Sequence, residues 1–149
     1  MGIKIVCQNR KAVYDYFIDE VMEAGIVLLG AEVKSLRSGK ASLSDSYARV
    51  KKGEVFLYNM HISPYPYAHS IDLEPDRKRK LLLNRKEIKR LIGKTEEKGY
   101  TLVPTKVYFS EGRAKVELAL AKGKRKYDKR RALKEKELKK EVNEFKRWT

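Results

Sequence analysis

Apolar and polar residues alternate in two pairs of short runs, each pair joined by a turn sequence. Runs 46–51 and 54–62 flank Lys52-Gly53, and runs 100–109 and 113–120 flank Ser110-Glu111-Gly112. Period-two runs separated by a glycine-bearing turn predict two β-hairpins. Stretch 17–27 mixes β-branched, aromatic and acidic residues in rough alternation and reads as a further strand. The period changes in three places. Asn9 is a candidate N-cap for a short helix. Leu29, Val33 and Leu36 recur at helical spacing before Gly39, a C′ stop. Ile88, Leu91 and Ile92 share one face of an amphipathic helix over 85–98, ended by Gly99. Segment 63–75 holds three of the four prolines and reads as a loop. Short hairpin-linked strands with interspersed helices predict a mainly β fold with added α-helices, an oligonucleotide-binding (OB)-like antiparallel barrel.

The pattern fails after residue 121. Between Ala121 and Arg131 seven cations surround one tyrosine and one aspartate. Beyond them Leu133, Leu138, Val142 and Phe145 give only a thin apolar stripe in a segment rich in helix formers. Such a helix is marginal by itself in water, so the expectation is a segment that orders on meeting a partner. The predicted organisation is a barrel domain over 1–121 and a basic tail over 122–149.

Charge sharpens this division. The chain has 35 Lys and Arg against 20 Asp and Glu, a net of +15. The tail from Lys122 holds 13 basic and 5 acidic residues, so about half the excess sits in under a fifth of the chain. Lys/Glu enrichment also suits a heat-adapted surface, but the imbalance favours a phosphate-bearing partner. No apolar run approaches the 20 residues of a membrane-spanning helix. Cys7 is the single cysteine, which makes a reducing cytoplasmic setting the default expectation.

Catalytic chemistry finds little support. His61 and His69 have no cysteine or carboxylate cluster to complete a metal site, and read as surface or loop histidines. No Gly-x-Ser-x-Gly setting and no phosphate-cradling glycine loop occurs. The expectation is a non-enzyme without cofactor or metal. The run Arg77-Lys78-Arg79-Lys80 abuts Leu81-Leu82-Leu83, so apolar anchoring would fix a cationic surface suited to folded RNA. A solvated loop is the alternative. Of the nine tyrosines, Tyr14, Tyr58 and Tyr108 read as packing residues. Tyr127, surrounded by cations, suits stacking on a base.

Assembled in order, these segments resemble the SsrA-binding protein family (small protein B, SmpB) over nearly the whole chain. The resemblance rests on Asn9-Arg-Lys-Ala, Glu23-Ala-Gly-Ile, Glu32-Val-Lys-Ser-Leu-Arg, Asp45-Ser-Tyr, Arg79-Lys-Leu-Leu-Leu-Asn, Gly99-Tyr-Thr-Leu-Val-Pro, Val116-Glu-Leu-Ala-Leu-Ala-Lys-Gly-Lys and Asp128-Lys-Arg. It implies a barrel that binds the tRNA-like part of transfer-messenger RNA and enters the vacant A site of a stalled ribosome. The tail would lie in the empty mRNA channel by the decoding site of the small-subunit RNA. Alanyl-tRNA synthetase and elongation factor Tu would act on the same complex. Asn9, Glu23, Leu82 and Asn84 match the family's RNA-contacting positions. A carboxylate such as Glu23 can accept bonds from base or ribose donors, or can be a structural partner for a nearby cation. Arg10, Lys11, Lys34, Arg37, Arg79 and Lys80 are further candidates for phosphate contacts. In the tail, Asp128, Lys129 and Arg130 match the family signature. Lys124, Tyr127 and Phe145 complete the expected ribosome-binding set. The family often has histidine where this chain has Tyr127, whose ring stacks but cannot become cationic. The alternatives are a structural ribosomal protein or a generic basic RNA-binding protein.

Overall fold

A computed structural model describes residues 3–64, 74–96 and 99–124. The expectations for His69, Tyr127, Asp128, Lys129, Arg130 and Phe145 lie outside the described residues.

Among the described residues, nine strands and three helices follow in the order β1 (Lys4–Gln8), α1 (Arg10–Asp15), β2 (Tyr16–Ile26), α2 (Gly30–Arg37), β3 (Ala41–Ser42), β4 (Tyr47–Lys51), β5 (Glu54–Tyr58), β6 (His61–Ile62), β7 (Arg79–Leu82), α3 (Arg85–Thr95), β8 (Tyr100–Ser110) and β9 (Arg113–Gly123). All strand pairings are antiparallel. The large sheet runs β1-β8-β4-β5-β7-β2-β9, and β8 also pairs with β9. Six strands therefore close on themselves, and β1 lies along the outer half of β8. Closure removes the exposed edges that an open sheet would present. This is the OB-like barrel expected.

Both predicted hairpins are present, and the left-handed residues fall where two-residue turns need them. Lys52 and Gly53 have φ of 52° and 75°; Glu111 and Gly112 have 53° and 75°. The run 54–62 is not one strand. Asn59 adopts φ 60°, the chain turns out of the barrel, and His61–Ile62 pairs instead with Ala41–Ser42. Alternation continues through the break, so periodicity could not locate it.

Leu57, Leu81, Leu102, Leu118, Leu120 and Val116 fill the barrel, and Leu36 and Leu91 bring α2 and α3 onto it. A second small cluster lies outside the wall, where α1 packs Ala12 on Val103, Ala119 and Ala121. Leu29, expected on the apolar face of α2, is its exposed N-cap instead; Val33 and Leu36 carry the packing. Ser38 caps the helix and Gly39 follows with φ 74°, as expected of a C′ glycine. Strand β9 runs to Gly123, two residues past the predicted end of the barrel. Burial pushes the Cys7 thiol up to about 11, with a backbone bond at Val107 working the other way.

Candidate nucleic-acid interface

Strand register builds one face from four strands. Leu82 of β7 stands opposite Gly25 of β2, Gly25 opposite Lys115 of β9, and Lys115 opposite Tyr108 of β8. The next row on the same face is Glu23, Glu117 and Lys106. The neighbours Ala24, Leu81, Val116 and Val107 point into the core. Period two thus divides each strand between the core and this face.

Each position has a physical reason. Leu82 is 52% exposed, and a Cβ placed on Gly25 would meet its Cβ at 3.3 Å. Glycine at 25 is what lets the leucine lie flat across the strand. Glu23 remains exposed while Oε2 accepts from the Tyr108 hydroxyl at 2.5 Å and Oε1 lies 3.8 Å from Lys115 Nζ. Glu23 is therefore both a structural partner and an accessible acceptor. Burial and the carboxylates Glu23 and Glu117 raise the Tyr108 hydroxyl pKa, so it stays protonated and donates. Glu117 accepts from Thr105 and lies 3.7 Å from Lys106 Nζ. Lys106, Lys115 and Glu117 were not singled out in the sequence, and Tyr108, read there as a packing residue, is indeed buried. The odd-numbered polar residues of 113–120 carried the signal for two of them.

Asn84 follows β7 and opens α3. Its Oδ1 accepts from the Glu87 N–H at 2.9 Å, and Glu87 Oε1 accepts from the Asn84 N–H at 3.3 Å, a reciprocal capping box. Its amide nitrogen makes no hydrogen bond among the described residues and remains available as a donor.

Two of the expected contacts take other roles. Arg79 is fully buried: Nε donates to Glu32 Oε2 at 2.7 Å, Nη1 to the Met60 carbonyl at 2.5 Å and Nη2 to the Pro75 carbonyl at 3.0 Å. Strand parity turns it inward beside Leu81, so it does not reach a phosphate. Asn9 is 7% exposed; its Nδ2 donates to the Pro104 carbonyl at 3.0 Å and Oδ1 caps α1 through the Ala12 N–H. Its amide is committed to the fold, and it sets α1 so that Arg10 and Lys11 face solvent.

The remaining candidates are scattered, all exposed except the half-buried Lys124. Lys11 lines a cleft of about 350 Å³ with Asp15, Asp45 and Arg49. Lys34 is exposed on α2, and the Arg37 guanidinium lies 5.6 Å from the Phe109 ring centre. Lys80 Nζ donates to Glu54 at 3.1 Å. Lys124 donates to the Val13 carbonyl at 3.0 Å and lies 5.0 Å from the Phe17 ring centre, so the tail begins against the start of β2. The structure brings Glu23, Leu82 and Asn84 to one end of β2, away from α1 and Lys124.

The described residues contain no group of three or more His, Cys, Asp or Glu placed to hold a metal, and no helix long and apolar enough to cross a membrane. His61 is exposed with Nδ1 3.0 Å from Asp76.

The family model described as SmpB protein matches residues 6–147. This chain belongs to the SmpB family. It is 60% identical over 144 residues to the SsrA-binding protein of Syntrophobacter fumaroxidans, covering 97% of this chain and 89% of that one. It is 58% identical over 139 residues to the SsrA-binding protein of Geobacillus thermodenitrificans, covering 93% and 90%. A chain of the solved structure "tmRNA-SmpB: a journey to the center of the bacterial ribosome" superimposes with TM-score 0.68 at 51% identity, over 85% of this chain and 93% of that one.

Proposed function

We propose that this SmpB-family chain binds the tRNA-like part of transfer-messenger RNA and delivers it to stalled ribosomes for trans-translation, acting as a binding factor rather than an enzyme. The observation that carries the reading is the four-strand face at Leu82, Gly25, Lys115 and Tyr108, with Glu23 beside it. It offers a folded RNA three things at fixed positions: an exposed leucine for a sugar or base face, a carboxylate for base or ribose donors, and lysines for phosphate. Tyr108 holds Glu23, so the carboxylate meets the RNA without first having to be ordered.

The tail over 122–149 extends into the ribosome, where only a vacant mRNA channel has room for it. Recognition of the stall is then a matter of space rather than of sequence. Tyr127 stacks on a ribosomal base there, Asp128, Lys129 and Arg130 engage the small-subunit RNA, and Phe145 anchors the far end. Arg10, Lys11, Lys34, Arg37 and Lys80 supply the surrounding positive field. Action in the cytoplasm, and on the same RNA complex that alanyl-tRNA synthetase and elongation factor Tu handle, belongs to this reading.

Capture of RNA from a cell extract on the full chain, followed by sequencing, tests it. Transfer-messenger RNA should be enriched, and its tRNA-like fragment should compete far better than an unstructured oligonucleotide of equal length. Recovery of ribosomal RNA in proportion to total ribosomes, with no enrichment of transfer-messenger RNA, would count against it.

A further inference from the structure

Glu23 of β2 and Glu117 of β9 stand directly opposite each other across the two strands. Cross-strand neighbours hold their Cβ atoms about 5 Å apart, a distance at which like charges destabilise a sheet. A matched set of neighbours holds the pair in place. Tyr108 donates to Glu23 Oε2 at 2.5 Å, and Thr105 donates to Glu117 Oε2. Lys115 Nζ lies 3.8 Å from Glu23 Oε1, and Lys106 Nζ lies 3.7 Å from Glu117 Oε1. Each carboxylate thus has one hydroxyl and one lysine, and both stay partly open to solvent. Lys106 is placed in turn by the Tyr108 ring, whose centre lies 5.9 Å from Nζ.

Two carboxylates balance two lysines, so this patch is formally neutral on a chain of net charge +15. Such a patch adds little to general attraction for polyanions. A phosphate that approaches Lys106 or Lys115 also meets Glu117 or Glu23 and is repelled. A ribose 2′-hydroxyl or a base amino group carries a donor, which a carboxylate accepts and a phosphodiester cannot supply. The patch therefore disfavours a strand that presents only phosphate and favours one that presents donors in register with it. Discrimination of this kind uses repulsion of the wrong partner as well as attraction of the right one.

We propose that Glu117 is a specificity-determining residue: with Glu23 it forms a carboxylate pair that accepts donor groups of a folded RNA and turns away bare phosphate. The inference rests on the reading above that this face meets the tRNA-like RNA. It adds the class of group read there, a ribose hydroxyl or an exocyclic amine. A carboxylate kept only to hold Thr105 and Lys106 would leave the preference between two nucleic acids unchanged when its charge is removed.

Full-length Glu117→Gln keeps the side-chain shape and an acceptor for Thr105, and removes the charge. Glu117→Asp keeps the charge. Both are compared with the wild type at one salt concentration for binding to the tRNA-like RNA fragment and to oligodeoxythymidine of equal length, which has neither 2′-hydroxyls nor exocyclic amines. Glu117→Gln should bind the fragment roughly tenfold more weakly and oligodeoxythymidine about threefold more tightly. Glu117→Asp should stay near wild type on oligodeoxythymidine. Thr105→Val leaves the charge but removes the bond that orients it, and should weaken binding to the fragment alone. An unchanged ratio of the two affinities in both Glu117→Gln and Thr105→Val overturns the proposal, as does equal weakening on both nucleic acids. A wild type with no preference for the fragment, while Glu117→Gln still tightens on oligodeoxythymidine, supports the carboxylate's role and contradicts only the broader functional reading.

Discussion

Glu32 gathers two arginines of the 77–80 run. Its carboxylate accepts from Arg77 and Arg79 and from the Leu29 N–H at 2.9 Å, tying α2 to β7. Lys80 pairs with Glu54, and Lys78 lies 4.5 Å from the Phe56 ring centre. The cationic run is therefore distributed: parity sends Arg79 inward and leaves Lys78 and Lys80 outside. The sequence could show the four cations and the neighbouring leucines. It could not show that Glu32, 47 residues away, would claim Arg79. Loss of one partner from a buried pair strands the other charge. Glu32→Gln should cost about 3 kcal/mol and lower the melting temperature by roughly 10 °C, measured by thermal unfolding. Burial opposes the charge on Glu32, but Arg77, the Leu29 N–H and Arg79 outweigh it and hold the carboxyl below its ordinary range. A depressed folded pKa gives stability that is complete above the unfolded value of about 4.3 and is lost as pH falls through the folded one. Wild-type melting temperature should thus fall more steeply between about pH 5 and pH 3 than that of Glu32→Gln. At the interface, Leu82→Ala removes an exposed side chain. Stability should change by under about 0.5 kcal/mol while affinity for the tRNA-like RNA falls, read by equilibrium binding at fixed salt.

At the scale of elements, β2 organises the molecule. It pairs with β9 from Tyr16 to Gly25, meets β7 only at Gly25 and Ile26, and carries Glu23 of the proposed RNA face near its far end. Its strand character was legible from alternation, and the two hairpins were legible from their turns. What alternation could not supply was which strands meet across the barrel, because those pairings join segments far apart in sequence. The N-caps Asn9 and Asn84 show the same limit. Both residues were singled out for RNA, yet each first serves a helix. Asn9 is wholly absorbed by that duty, whereas Asn84 keeps a donor free among the described residues. Asn84→Asp preserves the cap acceptor and removes the amide donor, and Asn84→Ala removes both. Helix stability should fall by about 1 kcal/mol in Asn84→Ala only, and RNA affinity should fall in both. Equal RNA affinity of wild type and Asn84→Asp would limit this residue to capping.

The whole molecule divides its positive charge between a closed barrel and a short extension. The barrel fixes its side chains through strand register, so the four-strand face proposed for RNA is already ordered. The extension lacks the apolar residues for a core of its own, and that difference was plain in the sequence from Lys122 onward. The division predicts separable activities. The most direct measurement compares the wild type with a chain ending at Lys126, scoring affinity for transfer-messenger RNA and peptide tagging on stalled ribosomes in the same preparation. The shortened chain should keep nearly full RNA affinity and lose tagging; equal loss of both activities would contradict the account.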